Sequence, residues 1–444
     1  MAALIAVAVA LSTTLSVPSG TPLPASPATT THLATTYVLN ASLDVSAGRL
    51  RVGERVTITN RASYPIDHVN LSVLPRAFGY FRFAGQVRVD GEEADISWTS
   101  GTNLRVALGR WLQPGVQVAI RIPFRLRVGS SGGAFTARTS RDRGVLSLGE
   151  WFPIISRKHD SYAVGDPQVT RTADLITLNL TTDVRLLRQA VACAGLQQAP
   201  AVRGRHWTCV ARNVRDFSVV VNPRFHVMTR TTDGVTVRVY TETVDGSTTM
   251  RKARFALRSL NDLYGRYPWT DLVLAEVGAD GGFSMEYPRT IHLTRTKVTD
   301  TYVLYHEVAH QWFYAQLGND QMRVPWLDEA FADFTARWLM GIGRSQCSTR
   351  DVDSSVFAWP AGKTSGGDWL SCDGYFHAVF YKGSEFLTRV RQSMGTTRFF
   401  ASLRTFIADN RYGMTTTRGL LDFLQSRSQT NLLPIYRRYL HAYD

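Results

Sequence analysis

The sequence predicts an α+β multidomain chain. An antiparallel β sandwich or saddle fills residues 37–223 and a mainly helical domain fills 224–444. Three observations carry this. From Tyr37 to about Pro223, short runs alternate apolar and polar residues, with turn residues such as Asp90-Gly91 and Gly129 to Gly133 between them, the pattern of half-buried strands. After two further strand-like runs, apolar residues recur at helical spacing almost to the end. The chain has 444 residues, 44% of them hydrophobic, enough for more than one core and too apolar for a disordered polymer.

In order, Ala2 to Leu11 is an uninterrupted apolar run. It is shorter than the roughly 20 residues of a membrane span and fits a signal-peptide core. Residues Pro18 to Thr36 are rich in Pro, Ser, Thr and Ala and uncharged, as a flexible linker is. Residues 1–36 are therefore expected to lie outside the folded domains and to direct the protein to the cell envelope or beyond. Strands are expected at Tyr37–Val45, Val52–Asn60, Val69–Leu74, Val87–Val89, Val118–Leu126, Leu175–Thr182 and Phe217–Asn222.

In the second half, Val235–Glu242 and Leu272–Val277 read as strands, and Met250–Tyr264 as a helix with Phe255, Ala256, Leu260 and Leu263 at its spacing. A helix follows over Asp300–Leu317, N-capped by Asp300 and stopped by Gly318. Pro325 opens the next one. Gly341–Cys372 reads as loop, and helices resume at Tyr375–Met394, Thr397–Asn410 and Arg418–Tyr439. In an exported protein the four cysteines are expected to close two short loops, Cys193 with Cys209 and Cys347 with Cys372. Net charge is +14, spread along the chain with no basic block or nucleic-acid motif. This indicates a basic surface and no nucleic-acid partner.

The chemistry concentrates between Tyr305 and Trp338. His306 and His310 are four apart, so on a helix both rings share one face and can bind one metal ion. Glu307 lies beside them, giving the H-E-x-x-H arrangement of zinc proteases, with the glutamate as general base. A catalytic zinc takes a third protein ligand. Glu329 is the candidate, separated from His310 by residues 311–328, which allow a turn between two helices. Asp333 lies one turn after Glu329, where it is expected to accept a hydrogen bond from the outer nitrogen of a metal-bound histidine.

These residues resemble the gluzincin pattern of the aminopeptidase N family. Gln311-Trp312 and Trp326-Leu327-Asp328-Glu329 are similar to its wording, and Gly149-Glu150-Trp151-Phe152-Pro153 resembles a stretch of its β-rich domain. The resemblance implies a thermolysin-like catalytic domain with one zinc ion per chain. It implies a two-domain form lacking the helical C-terminal domain of larger members. The segment Gly281 to Pro288 resembles the family's Gly-x-Met-Glu-Asn motif, although Phe283 stands where that motif has glycine. By this match Glu286 binds the free amine of a peptide, and the backbone through Ser284 and Met285 lines the substrate. The family's oxyanion-binding tyrosine aligns with Phe380. Tyr381, one residue on, is the candidate donor, with Tyr375 or His377 as substitutes, unless the donor is missing.

The implied activity is removal of N-terminal residues from peptides by zinc-activated water, with Glu307 as base. Two alternatives stand beside it: an endopeptidase of the same architecture, and a zinc-bearing peptide-binding protein of little or no activity.

Overall fold

The computed structural model describes residues 33–156, 170, 172–279, 283–321, 324–342 and 376–440. The N-terminal segment before Leu33 and the Cys347–Cys372 pair lie outside the described residues, as does Tyr375.

The first half is β-rich, as expected. Its largest sheet runs in the spatial order Leu196–Gln198, Arg203–Val214, Ala173–Leu187, Leu33–Asp44, Arg49–Asn60, Gln117–Arg127, Arg88–Val89, Glu92–Glu93. Arg49–Asn60 buries every second residue, which is why sequence alternation found it. One pairing departs from antiparallel order: Thr36–Leu43 runs parallel to Leu175–Thr182. A parallel partner requires a long crossover, here the intervening sheets. Two four-stranded sheets pack against the large one. One orders Thr139–Asp142, Val145–Leu148, Val219–Val221 and Val191–Cys193; the other orders Ile154–Ile155, Ile66–Ser72, Asn103–Leu112 and Ile96–Trp98. The disulfide Cys193–Cys209 ties Val191–Cys193 to Arg203–Val214 of the large sheet.

The second half opens on a mixed sheet ordered His226–Thr232, Val235–Thr241, Asp271–Val277, Thr290–Thr294. Its last three strands are parallel. Ser247–Tyr264 forms the first long helix and buries Met250, Ala253, Ala256, Leu257 and Leu260. Thr301–Ala309 and Trp326–Met340 are the two helices of the metal motif.

Three helix expectations need correction. The first metal-motif helix ends at Ala309 and does not continue to Leu317. Beyond it the amide of Ala315 turns back to the His310 carbonyl and that of Leu317 to Trp312, and Tyr314 takes φ +121°, outside helical space. Arg418–Tyr439 is two helices, Thr417–Arg427 and Leu433–Tyr439. Pro434 fits the first turn of a helix but not its interior, and Asn431 accepts from the Leu433 amide at 3.0 Å. Finally, Phe376–Lys382 is π-helical and becomes α-helical only over Gly383–Met394.

The two halves meet at close range. The buried Arg215 guanidinium donates to the Gly413 carbonyl at 3.1 Å, and Trp269 donates to the Arg212 carbonyl at 2.9 Å. Gly149 lies against Tyr287 so closely that a Cβ there would overlap the phenol.

Candidate metal centre

Asp300 caps the metal-motif helix, accepting from the Val303 amide at 3.1 Å. This fixes where the helix begins, and so which face carries His306 and His310. Their Nε2 atoms lie 3.1 Å apart. Glu329 enters on the first turn of Trp326–Met340, with Oε2 3.1 Å from His306 Nε2 and 3.4 Å from His310 Nε2. One ligand atom from each residue falls within 4.8 Å of the others. Two imidazole nitrogens and a carboxylate are a donor set that zinc takes, with a position left for water or substrate. His310 Nδ1 is 3.0 Å from the Phe313 carbonyl. That oxygen can only accept, so Nδ1 holds a proton, and Nε2 is the nitrogen turned toward Glu329 and a metal.

The electrostatics point the same way. Burial would raise the Glu329 carboxyl, but hydrogen bonds from His306 and His310 hold it down to about 2. Burial disfavours the charged form of His310, yet its bond to Glu329 and the surrounding carboxylates push its pKa well up. Glu307 is driven well above the usual carboxylate range by burial and then by the charge of Glu286. Burial likewise raises Glu286, with His310 opposing and Glu329 assisting. Buried acids that raise one another around two imidazoles form a cluster short of positive charge. A divalent cation supplies it, so the residues present fit zinc.

The sequence-predicted residues mostly gather here. Glu307 is buried beside the ligands, and its Oε2 has no hydrogen-bond partner among the described residues. Met285 exchanges two backbone hydrogen bonds of 2.8 Å with His292, and the Ser284 hydroxyl accepts from the Thr294 amide at 3.3 Å. Residues 284–286 therefore run along the edge strand Thr290–Thr294, bringing Glu286 to the ligand cluster.

Two placements differ from expectation. Asp333 does not bond a histidine. Its carboxylate accepts from the Tyr302 hydroxyl and from Arg337 Nε, the latter at 2.6 Å. The Tyr302 ring lies 5.7 Å from the His306 imidazole, and His306 Nδ1 has no hydrogen-bond partner among the described residues. The candidate donor Tyr381 faces the Arg337 guanidinium, 4.9 Å from its ring. Phe380 lies parallel to His306 at 5.4 Å, with 5° between the planes. The π-helical turn did not exchange the two.

Four residues make contacts here that sequence reasoning did not assign. The rings of Tyr302 and Phe380 lie 5.7 and 5.4 Å from that of His306. Gln311 binds the Glu286 segment by its side-chain amide. Asp328, wholly buried, accepts from Asn319 Nδ2 at 3.0 Å and from Gln321, which shapes the approach to Glu329. Tyr302 stands one helical turn before His306, a spacing that could have flagged it. Gln311 was visible only as part of the family's wording.

Residues 285–439 match the peptidase family M1 domain. The chain carries an M1 peptidase domain. A membrane alanyl aminopeptidase of Heliothis virescens is 28% identical over 151 residues, covering 30% of this chain and 15% of that protein. The chain thus matches only a small part of that relative's length. Among solved structures, an M1 zinc metallopeptidase of Deinococcus radiodurans, in a substituted form, superposes with TM-score 0.68. It is 17% identical and covers 93% of this chain and 95% of that one. A substituted form bound to a Tyr-Ser-Ala substrate gives 0.67, also at 17% identity, covering 92% of this chain and 94% of that one. The M1 domain and the β-rich half together thus have the two-domain fold of those structures, and the metal motif falls inside the matched region.

Proposed function

We propose that this protein is a zinc-dependent aminopeptidase that removes N-terminal residues from peptides. The observation that carries the reading is the convergence of His306, His310 and Glu329 beside two further buried glutamates, Glu307 and Glu286. When bound, zinc supplies a Lewis acid that polarises the scissile carbonyl and acidifies water. His306, His310 and Glu329 hold it, one ion per chain. Glu307 takes the proton of the attacking water and delivers it to the leaving amine. Its burial suits this task, since a raised carboxyl is a better proton carrier near neutral pH. Glu286 receives the α-ammonium of the substrate, and the Ser284–Met285 backbone lies along its first residues. A carboxylate at that place leaves no room for a chain extending past the terminus and disfavours an endopeptidase.

One observation favours a second reading, a weakly active peptide-binding relative. The ring over His306 is Phe380, which has no hydroxyl for the oxyanion, and the ring of the neighbouring Tyr381 is engaged by Arg337. Export is part of the proposal, supported by the apolar N-terminal run and the Cys193–Cys209 disulfide.

Assays of the zinc-loaded protein on aminoacyl coumarin amides and on the same amides with an acetylated amine test these readings. Cleavage of free-amine substrates alone is expected. Cleavage of blocked substrates would overturn the aminopeptidase reading, and no cleavage of either would favour the second. Glu307→Gln is expected to keep one zinc and lose at least about 10²-fold in turnover, whereas Glu329→Gln is expected to lose the zinc as well.

A further inference from the structure

Gln311 follows the ligand His310 directly, and its side chain is wholly buried. Its Nε2 donates to the Glu286 carbonyl at 3.1 Å and the Tyr287 carbonyl at 3.3 Å. Its Oε1 accepts from the Arg289 amide at 2.8 Å. The residue is itself fixed, because its backbone carbonyl accepts from Gln316 Nε2 at 3.1 Å. One primary amide thus ties three backbone groups of segment 286–289 to the position next to a metal ligand.

Further restraints on that segment come from the sheet side and, at Tyr287, from Gly149 of the β-rich half. Met285 pairs with His292. Arg289 holds φ +65° and binds Asp271 through Nε at 2.9 Å. These fix the segment to the strands but say nothing of its distance from His310. Gln311 is where the two frames are joined by a side chain. The chemistry suits an amide, which offers two donors and an acceptor at one tip. A carboxylate of the same shape has no donors, and an apolar chain has neither.

We propose that Gln311 is a positioning residue that sets the reach from the Glu286 carboxylate to the metal, and so restricts recognition to substrates with a free amine at one residue's distance. This rests on the aminopeptidase reading and deepens it. A displacement of about 1 Å at such a distance can cost on the order of 10²-fold.

The test uses full-length, zinc-loaded protein and two probes, leucine hydroxamate and its N-acetylated form. Their affinities are measured calorimetrically beside zinc content and unfolding temperature. In the wild type the free-amine probe is expected to bind more tightly. Gln311→Glu and Gln311→Met are expected to keep one zinc and to weaken leucine hydroxamate by about 10- to 100-fold, with the acetylated probe changed less than about twofold. On peptide substrates the loss should fall in KM more than in kcat. Equal weakening of both probes, or no change in either, overturns the proposal. Gln311→Glu keeps the acceptor for Arg289 and the side-chain volume, so it remains informative if Gln311→Met does not fold. A wild type that does not prefer the free amine overturns the aminopeptidase reading and this proposal with it, whereas a preference kept in the variants overturns only the role of Gln311.

Discussion

Replacing Glu54 by methionine should stabilise the protein. Glu54 lies in Arg49–Asn60, on the face that also carries Leu50, Val52 and Val56. Its side chain is 2% exposed, and both carboxyl oxygens are buried with no hydrogen-bond partner among the described residues. Burial raises its pKa well above the carboxylate range. A buried polar group without partners costs about 1–3 kcal/mol, and methionine fills similar volume with no polar atom. The sign with pH follows from linkage. A folded pKa above the unfolded one means that Glu54 contributes fully below the unfolded value of about 4.5. The contribution is lost as pH rises through the folded value, at about 1.4 kcal/mol per unit. From pH 5 toward pH 7 the advantage of the variant therefore grows. Urea titrations of both proteins at the two pH values, followed by far-ultraviolet circular dichroism, measure it. A variant less stable than the parent at pH 7, or a gain that does not grow with pH, would refute the reasoning.

Three further outcomes are expected. Phe380→Tyr places a hydroxyl on the ring stacked over His306. Turnover on free-amine substrates should rise by about 10²-fold, the usual worth of one oxyanion donor, with KM nearly unchanged; steady-state kinetics checks it. His292 is buried, and desolvation pushes its pKa down to about 3, so the fold favours the neutral ring. Its contribution is present above the unfolded value near 6.5 and is lost as pH falls toward 3, about 2 kcal/mol of it by pH 5. In His292→Phe the drop in denaturation midpoint between pH 7 and pH 5 should shrink accordingly. Breaking Cys193–Cys209, which closes a loop of sequence separation 16, should cost about 3 kcal/mol. The fall in melting temperature of Cys193→Ser/Cys209→Ser, compared with the oxidised parent, measures it.

The metal ligands were legible because their geometry is set locally. The interval between His306 and His310 is fixed by one helical turn, and Glu329 needs only a connection long enough to start a second helix. Strands with one wet face were legible for a similar reason: side chains along Arg49–Asn60 alternate and so does the sequence. What the sequence left unread depends on partners distant along the chain. The end of the metal helix was obscured because Trp312, Phe313 and Ala315 fit a helix by propensity. Backbone bonds from Gln316 to Tyr412 and from Gly318 to Gly413 hold that stretch in turns instead. Asp333 could be placed on the right face but not assigned a partner, since Tyr302 and Arg337 compete for it with the histidine. Phe380 and Tyr381 could not be told apart by counting, because a π-helical turn changes the rotation per residue.

The contact of Gly149 with Tyr287 seats the β-rich half against the segment that carries Glu286. Tyr287 follows Glu286, so crowding at position 149 would press on the residue beside the proposed amine anchor. Substitutions there, more than a hundred positions before the metal motif, should surface as altered selectivity for peptide length. The helical half produced alone would present its glutamate without the surface that backs it.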